Sequence, residues 1–381
     1  IEPDEELIRV RYRIDGILNE LMKAPKSIQS ELLSRLKIMA QMDISEKRLP
    51  QDGRIKVKVR NKSIDLRVSS LPTVFGEKIV IRILDNSRMQ LTLDQVGFDE
   101  SLLGLFKTLS SAPNGIVLMT GPTGSGKTST LYAAINFIRS GQINITTVED
   151  PVEYLIPSIN QVQVRPEIGL TFARTLRSIL RQDPNVILIG EIRDFETAQI
   201  AIESALTGHL VFSTLHTNDA ASAVTRLIEM GVEPYLVASA VIGVGAQRLV
   251  RKICPSCRDS YEPDAETKAF LGENGFAESK LYRAKGCLTC RKTGYSGRTA
   301  IHEIMTISDE IHGLILKSAS ARDIRYAAIR AGMRTMRADG IIKAVKGVTT
   351  MDEVLRLTRS EDVGMALAEG ADSVINLGSK M

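Results

Sequence analysis

Gly121-Pro122-Thr123-Gly124-Ser125-Gly126-Lys127-Thr128 follows a short apolar run, Ile116-Val117-Leu118-Met119, and precedes residues 129–139, which have helical character. The octapeptide satisfies the G-x-x-x-x-G-K-[ST] pattern in full, in the strand–loop–helix setting that gives the pattern its meaning. Its glycines let the backbone curl until successive N–H groups point inward, an arrangement suited to phosphate oxygens. The N-terminus of the following helix adds a favourable partial charge. Lys127 is the cation expected to neutralise β and γ phosphates, and the Thr128 hydroxyl suits Mg²⁺. Gly121, Pro122, Thr123, Gly124, Ser125, Gly126, Lys127, Thr128 and Ser129 are therefore the candidate nucleotide-binding residues. A glycine-rich turn with no ligand is the competing reading, and it leaves the Lys-Thr pair in register unexplained.

Working outward, further apolar runs end near the same kind of loop. Residues 143–148, 186–189 and 210–214 read as strands alternating with helices, the pattern of a mostly parallel α/β sheet. A cysteine-bearing insertion is expected over 250–300, and a largely helical region from Thr306 to about Arg359. Upstream the period changes to two. Ile8-Arg9-Val10-Arg11-Tyr12-Arg13-Ile14, residues 55–60, 64–68 and 78–83 alternate as half-buried strands do, with Asp15-Gly16 and Asp52-Gly53 as turn signals. Apolar positions at helical spacing over 27–42 complete a small α+β domain with an antiparallel sheet. The expected organisation is a domain over 1–88, a linker over 89–96, an α/β domain over 97–359 that includes the insertion, and a tail over 360–381 with no assignment.

Composition narrows the function classes. The 381 residues are 43% hydrophobic and 25% charged, which is globular and enough for two or three domains. A net charge of +4 forces neither a nucleic-acid nor a membrane partner. No tryptophan and 4% aromatics leave base stacking poorly supplied. No apolar run reaches the ~18 residues of a membrane span; the nearest, 236–246, is short and rich in Ala, Gly and Val. The chain starts mid-pattern on a residue other than Met, so a preceding region is expected.

The remaining candidates are charged or sulfur-bearing. Val186-Ile187-Leu188-Ile189-Gly190-Glu191 is a buried strand ending in an acid. Ligands of α/β sheets sit at the carboxyl ends of strands, so Glu191 is expected to orient or deprotonate water. Glu149-Asp150-Pro151-Val152-Glu153 also ends a strand, and its acids suit Mg²⁺ or its waters. Either Glu191 or an acid of this box, with Glu153 the catalytic candidate and Glu149 the binding one, is the general base. His209 and His216 flank another strand and are candidates for contacting the γ phosphate or transmitting its presence. Cys254-Pro255-Ser256-Cys257 and Cys287-Leu288-Thr289-Cys290, separated by 29 residues, form two C-x₂-C pairs. That signature points to a closed structural Zn²⁺ site, with a redox role as the alternative. Arg67 and Arg82 lie on alternating strands whose spacing is compatible with one face. Gln247-Arg248-Leu249-Val250-Arg251 is a candidate nucleotide sensor.

These motifs together resemble the secretion ATPase superfamily: the loop over 121–128, the acidic box over 147–153, Gly190-Glu191-Ile192-Arg193-Asp194 and the histidine segment over 209–216, in that order. The tetracysteine element resembles the branch that serves type IV pilus assembly and type II secretion. The resemblance covers about Arg9 to Thr358. It implies a PAS-like first domain and a RecA-like second one, a homohexameric ring, and Arg67 and Arg82 reaching the nucleotide as arginine fingers. It implies ATP hydrolysis with Mg²⁺, Zn²⁺ as a structural ion, and a cytoplasmic location at the bacterial inner membrane against a platform protein. Type IV pilus assembly is the leading expectation and type II secretion the alternative. A nucleic-acid translocase with a zinc element is a further alternative that the modest charge disfavours, and a nucleotide-dependent switch with little turnover is another.

Overall fold

A computed structural model describes residues 1–59, 62–85, 92–273, 275–276 and 278–358. Arg60 at the end of one expected strand, residues 89–91 of the expected linker, and the tail over 360–381 lie outside the described residues. Two compact units make up the chain, Ile1–Gln90 and Leu91–Met381.

In the first unit, β1 (Glu2–Pro3), β2 (Leu7–Ile14) and β3 (Ile17–Pro25) form one antiparallel sheet. Helix α1 (Gln29–Met39) follows, then a second antiparallel sheet of β4 (Gln51–Val59), β5 (Lys62–Thr73) and β6 (Gly76–Asp85). Alternation does what period two requires: Ile55, Val68 and Ile79 turn inward onto Ala40 and Met42. This small core also holds an ion pair. Lys37 is 1% exposed, and its ammonium lies 2.5 Å from Glu77 Oε1 and donates to the Glu46 carbonyl at 2.7 Å. Ser70 donates to the same Glu77 oxygen at 2.7 Å.

The second unit opens earlier than the spacing suggested. Leu93 and Val96, assigned to the linker, are buried in its core because a one-turn helix over Leu93–Gln95 folds them against Phe98 and Phe106. Helix α2 (Glu100–Ser110) leads into β7 (Gly115–Thr120) and α3 (Lys127–Ile138). Then come β8 (Ile145–Glu149), β9 (Asn160–Gln163), α4 (Phe172–Ile179), β10 (Val186–Ile189), α5 (Phe195–Leu206), β11 (Leu210–Leu215), α6 (Ala220–Glu229) and α7 (Pro234–Ala240). Strand β12 (Val241–Ile253) follows at once; β13 (Arg258–Tyr261), α8 (Ala265–Glu273) and β14 (Leu281–Ala284) form an excursion that returns as β15 (Tyr295–Thr306). Helices α9 (Asp309–Leu316), α10 (Ala321–Arg330), α11 (Met336–Val345) and α12 (Met351–Leu357) close the unit, as the helical reading after Thr306 expected.

One seven-stranded sheet, in the order β15-β12-β7-β11-β10-β8-β9, organises these elements. Every pairing is parallel except β12 with β15. Helices cover both faces, which is why β7, β10 and β11 are buried at every residue and read as largely apolar runs. The apolar run over 236–246 divides: α7 stops at Ala240 and β12 begins at Val241. The sequence hides β12 because it carries glycine where packing leaves no room. A Cβ at Gly243 would stand 2.6 Å from a Leu109 methyl, and one at Gly245 2.6 Å from the Met119 sulfur. The cysteine excursion spans 254–294, between two adjacent strands that reach into the range first assigned to it.

Glu77→Ala strands the Lys37 ammonium inside the first unit and is expected to cost about 3–5 kcal/mol in urea unfolding. Lys37→Met combined with Glu77→Leu should recover most of that loss. Equal losses in the single and double variants would mean that the loss does not come from a stranded charge.

Candidate functional site

Parallel pairing aligns Thr120, the last residue of β7, with Leu215, the last of β11, and with Ala246 of β12. The loop over 121–126 therefore leaves the sheet between two strands. Gly121, Gly124 and Gly126 have φ of 142°, 79° and 92°, values that L side chains rarely adopt. Space is as restrictive as torsion: a Cβ at Gly121 would lie 2.4 Å from the Gln247 carbonyl, and one at Gly126 2.7 Å from Gln247 Nε2. Lys127 opens α3 and is 7% exposed, its ammonium bonded to the Gly121 carbonyl at 2.7 Å and to Pro122 at 3.3 Å. Burial pushes the Lys127 pKa down, and the Glu191 carboxylate pulls against that. Ser125 Oγ is buried and has no hydrogen-bond partner among the described residues. A loop with an unspent buried hydroxyl and a cation satisfied only by its own carbonyls is built to receive an anion.

Glu191 sits two residues past the end of β10, after Gly190. Each carboxylate oxygen is engaged: Oε1 pairs with Arg193, and Oε2 lies 3.1 Å from His216 Nε2. The loop carrying it is pinned by Ile192 N–H to the Thr214 carbonyl at 3.0 Å and by Asp194, which caps α5 through the Thr197 N–H at 2.8 Å. His216 is placed by its neighbour. Thr217 N–H donates to Thr120 Oγ1 at 2.8 Å, and the two threonine hydroxyls are 2.7 Å apart, tying the histidine loop to the base of the 121–126 loop. The fold thus gathers Lys127, Glu191, His216 and Thr120 at one sheet edge.

Two expectations are corrected. His209 precedes β11, and its carbonyl accepts from Gly115 N–H at the start of β7. It therefore lies at the amino edge of the sheet, about 20 Å of strand from the loop at ~3.3 Å per residue. Its ring nitrogen bonds the Ser204 carbonyl at 2.8 Å, closing α5. The acidic box does not present one face. Glu149 is 2% exposed, and its carboxyl receives Tyr132, Thr147 at 2.5 Å and Gln161 at 3.2 Å. A strand ending under α3 turns this side chain into the interior, whereas Asp150 is exposed and Glu153 half-buried. Burial pushes the Glu149 pKa up, against the three donors, with Glu153 raising it further.

In the first unit Arg67 and Arg82 are direct cross-strand partners, so they share a face. Arg54 on β4 is also opposite Arg67, extending the row to three arginines. Sequence spacing could not find Arg54, because register exists only once strands pair. Like charges directly opposite destabilise a sheet, so this row is carried at a cost.

All four cysteines converge. Their Sγ atoms lie within 4.8 Å of one another, with separations of 3.9 Å (Cys254–Cys287), 3.8 Å (Cys257–Cys290) and 3.7 Å (Cys287–Cys290). Disulfides need about 2.0 Å. Four sulfurs at ~2.3 Å from a tetrahedral Zn²⁺ would stand about 3.8 Å apart, so the cluster fits that ion. Cys290 Sγ accepts N–H bonds from Cys287 at 3.1 Å and Gly294 at 3.2 Å. Burial pushes its thiol up, but those donors outweigh it and bring the pKa down to about 6.

A seven-stranded, mostly parallel sheet with a phosphate-type loop after β7 and an acid after β10 defines a RecA-like P-loop protein. The chain belongs to the family described as Type II/IV secretion system protein, whose profile matches residues 1–356. It is 53% identical over 359 residues to the type II secretion system protein HxcR of Pseudomonas aeruginosa, covering 94% of this chain and 73% of that one. It is 49% identical over 359 residues to the type IV pilus assembly ATPase PilB of Myxococcus xanthus, covering 93% of this chain and 63% of the relative. The type II secretion system ATPase E of Vibrio cholerae is 47% identical, with coverage of 94% and 71%. The chain thus spans about two thirds of the length of these relatives. In fold it is similar to the pilus retraction motor PilT with bound ADP (TM-score 0.62, 24% identity, 93% of both chains) and to the Legionella pneumophila ATPase DotB (TM-score 0.65, 20% identity, 92% and 90%). Among the described residues no helix is long and apolar enough to cross a membrane.

The raised pKa of Glu149 has a signed consequence. The stability it contributes is full below the ordinary carboxylate range and is lost as pH rises through the raised value. Glu149→Gln cannot ionise, so its melting temperature should fall less than wild type's between about pH 4.5 and pH 8. Parallel pH profiles for the two proteins would show that the pKa of this carboxyl is not raised in the folded chain.

Proposed function

We propose that this chain is the ATP-hydrolysing part of a motor serving type IV pilus assembly or type II secretion. The observation that carries the reading is Glu191, held by Arg193 and His216 at the sheet edge where the Lys127 loop also ends. In this reading Lys127 leaves the Gly121 and Pro122 carbonyls to neutralise phosphate charge, and the amides of 121–129 cradle the β phosphate. Glu191 orients the attacking water and takes its proton, once His216 yields Oε2. His216 then registers the γ phosphate. Thr128 and an acid of the 149–153 box, Glu153 rather than the buried Glu149, would hold Mg²⁺, which supplies charge neutralisation at the phosphates. Arg67 and Arg82 act as fingers on a neighbouring subunit's nucleotide in a homohexamer. Relatives at similar identity carry both secretion and pilus names, so the reading keeps both processes. The site of action is the cytoplasmic side of the inner membrane, against a platform protein. Zn²⁺ held by Cys254, Cys257, Cys287 and Cys290 is structural.

Glu191→Gln should retain nucleotide binding while losing at least about a hundredfold in hydrolysis rate, the scale of a missing general base. Arg82→Ala should assemble by size-exclusion mass yet fail to turn over, with wild-type activity rising with protein concentration. A monomer that hydrolyses equally well, with Arg82→Ala silent, removes the trans-acting arginine. If Glu191→Gln and wild type turn over equally slowly, the chain is a nucleotide switch.

Metal analysis of purified protein should give about one Zn²⁺ per chain, as expected for a closed four-thiolate site. Cys287→Ser should lower that content and the melting temperature. Full stability without metal would remove the zinc assignment.

A further inference from the structure

Gln247 lies in the middle of β12, is 1% exposed, and has no place in the hydrolysis scheme above. Both ends of its side-chain amide are committed to the phosphate-type loop and its helix. Nε2 donates to the Ser125 carbonyl at 2.9 Å, and Oε1 accepts from the Thr130 hydroxyl at 2.7 Å. Thr130 is fully buried, and its hydroxyl lies 3.3 Å from the Gly126 carbonyl as well. Room for the amide exists only because position 126 has no Cβ.

We propose that Gln247 is a positioning residue that selects the peptide orientation in which the loop can bind polyphosphate. The proposal rests on the nucleotide reading above and adds a determinant to it. A trans peptide is rigid and planar, with its C=O and N–H pointing in opposite directions. Anchoring the Ser125 carbonyl on β12 therefore turns the Gly126 N–H away from β12, toward the side where phosphate is received. With the anchor removed, the flanking glycine at φ 92° makes a flip of this peptide cheap. A flipped peptide presents a carbonyl oxygen to the anion in place of a donor. Thr130 completes the device: as a donor to Oε1 it fixes which end of the Gln247 amide faces Ser125. Because β12 runs on from Gln247 to Ile253 and directly into Cys254, the residue also joins the loop to the strand that ends at the cysteine centre.

The test is titration of the full chain with fluorescent ADP and ATP analogues, with steady-state hydrolysis and thermal melting alongside. Gln247→Leu removes both polar ends at similar volume and should raise Kd for ADP and ATP alike by about tenfold, equivalent to about 1.4 kcal/mol. KM should rise in step while kcat falls much less, because the amide serves ground and transition states equally. Thr130→Val should shift Kd in the same direction by less, and adding it to Gln247→Leu should change nothing further. Unchanged Kd in Gln247→Leu, or a lowered melting temperature with unchanged Kd, overturns the proposal, since the residue would then only pack. Additive effects in the double variant overturn the orienting role of Thr130. Should Gln247→Leu fail to fold, Thr130→Val alone decides by its Kd. A wild-type chain that binds neither nucleotide overturns the underlying reading, an outcome distinct from an active wild type with an indistinguishable variant.

Discussion

The parallel hydrogen-bond ladder that sets β7 between β11 and β12 is the constraint on which this structure depends. Parallel strands can be joined only by crossovers, so each strand must be followed by a helix or a long return. Each such return then leaves from the same edge. Here that edge collects the loop after β7, the acid after β10 and the histidine after β11, none of which is near another in sequence. The cost of the arrangement is that both faces must be covered. Ile116, Leu118, Ile187 and Val211 on one side, and Val117, Met119, Leu188 and Phe212 on the other, meet that condition with apolar side chains at or below 1% exposure.

Polar groups buried near that edge are fully occupied or conspicuously unspent, and the difference separates support from chemistry. Thr120, Thr217, Gln247 and Thr130 exchange hydrogen bonds with one another or with backbone, which makes the loop rigid before any ligand arrives. Glu149, with Tyr132, Thr147 and Gln161, forms a satisfied interior cluster below it. Ser125 Oγ, by contrast, is buried and without a partner among the described residues. Glu191 and His216 are held by one another and by Arg193 but remain partly open.

Outside the sheet, local rules are broken where they cost most. Three arginines stand in register on the first unit's outer face, and four thiols converge where β12 and β15 diverge. A like-charged row and a cluster of unpaired thiols each lower stability unless something else engages them. The four thiols have the spacing of a site that could hold a metal ion.

The sequence by itself determined what depends on neighbours in the chain. The loop over 121–128, the largely apolar strands at 186–189 and 210–214, and the paired cysteines are local patterns whose physics is complete within a few residues. The placement of Glu191 was legible for that reason: an acid just past the end of a buried parallel strand has only one edge to occupy. The tertiary structure decided whatever depends on register or direction. His209 and His216 look equivalent on paper, but a strand has two ends, and only the second histidine stands at the phosphate edge. Glu149 and Glu153 share one acidic run, but α3 covers the first. Arg54 joins Arg67 and Arg82 only through cross-strand pairing. Strand β12 was invisible because tight packing against Leu109 and Met119 put glycine where a strand pattern needs side chains, and with it went the contact between Gln247 and the loop. Long-range pairing leaves no periodic trace in a single sequence, and that physical fact divides what could be read from what had to be folded.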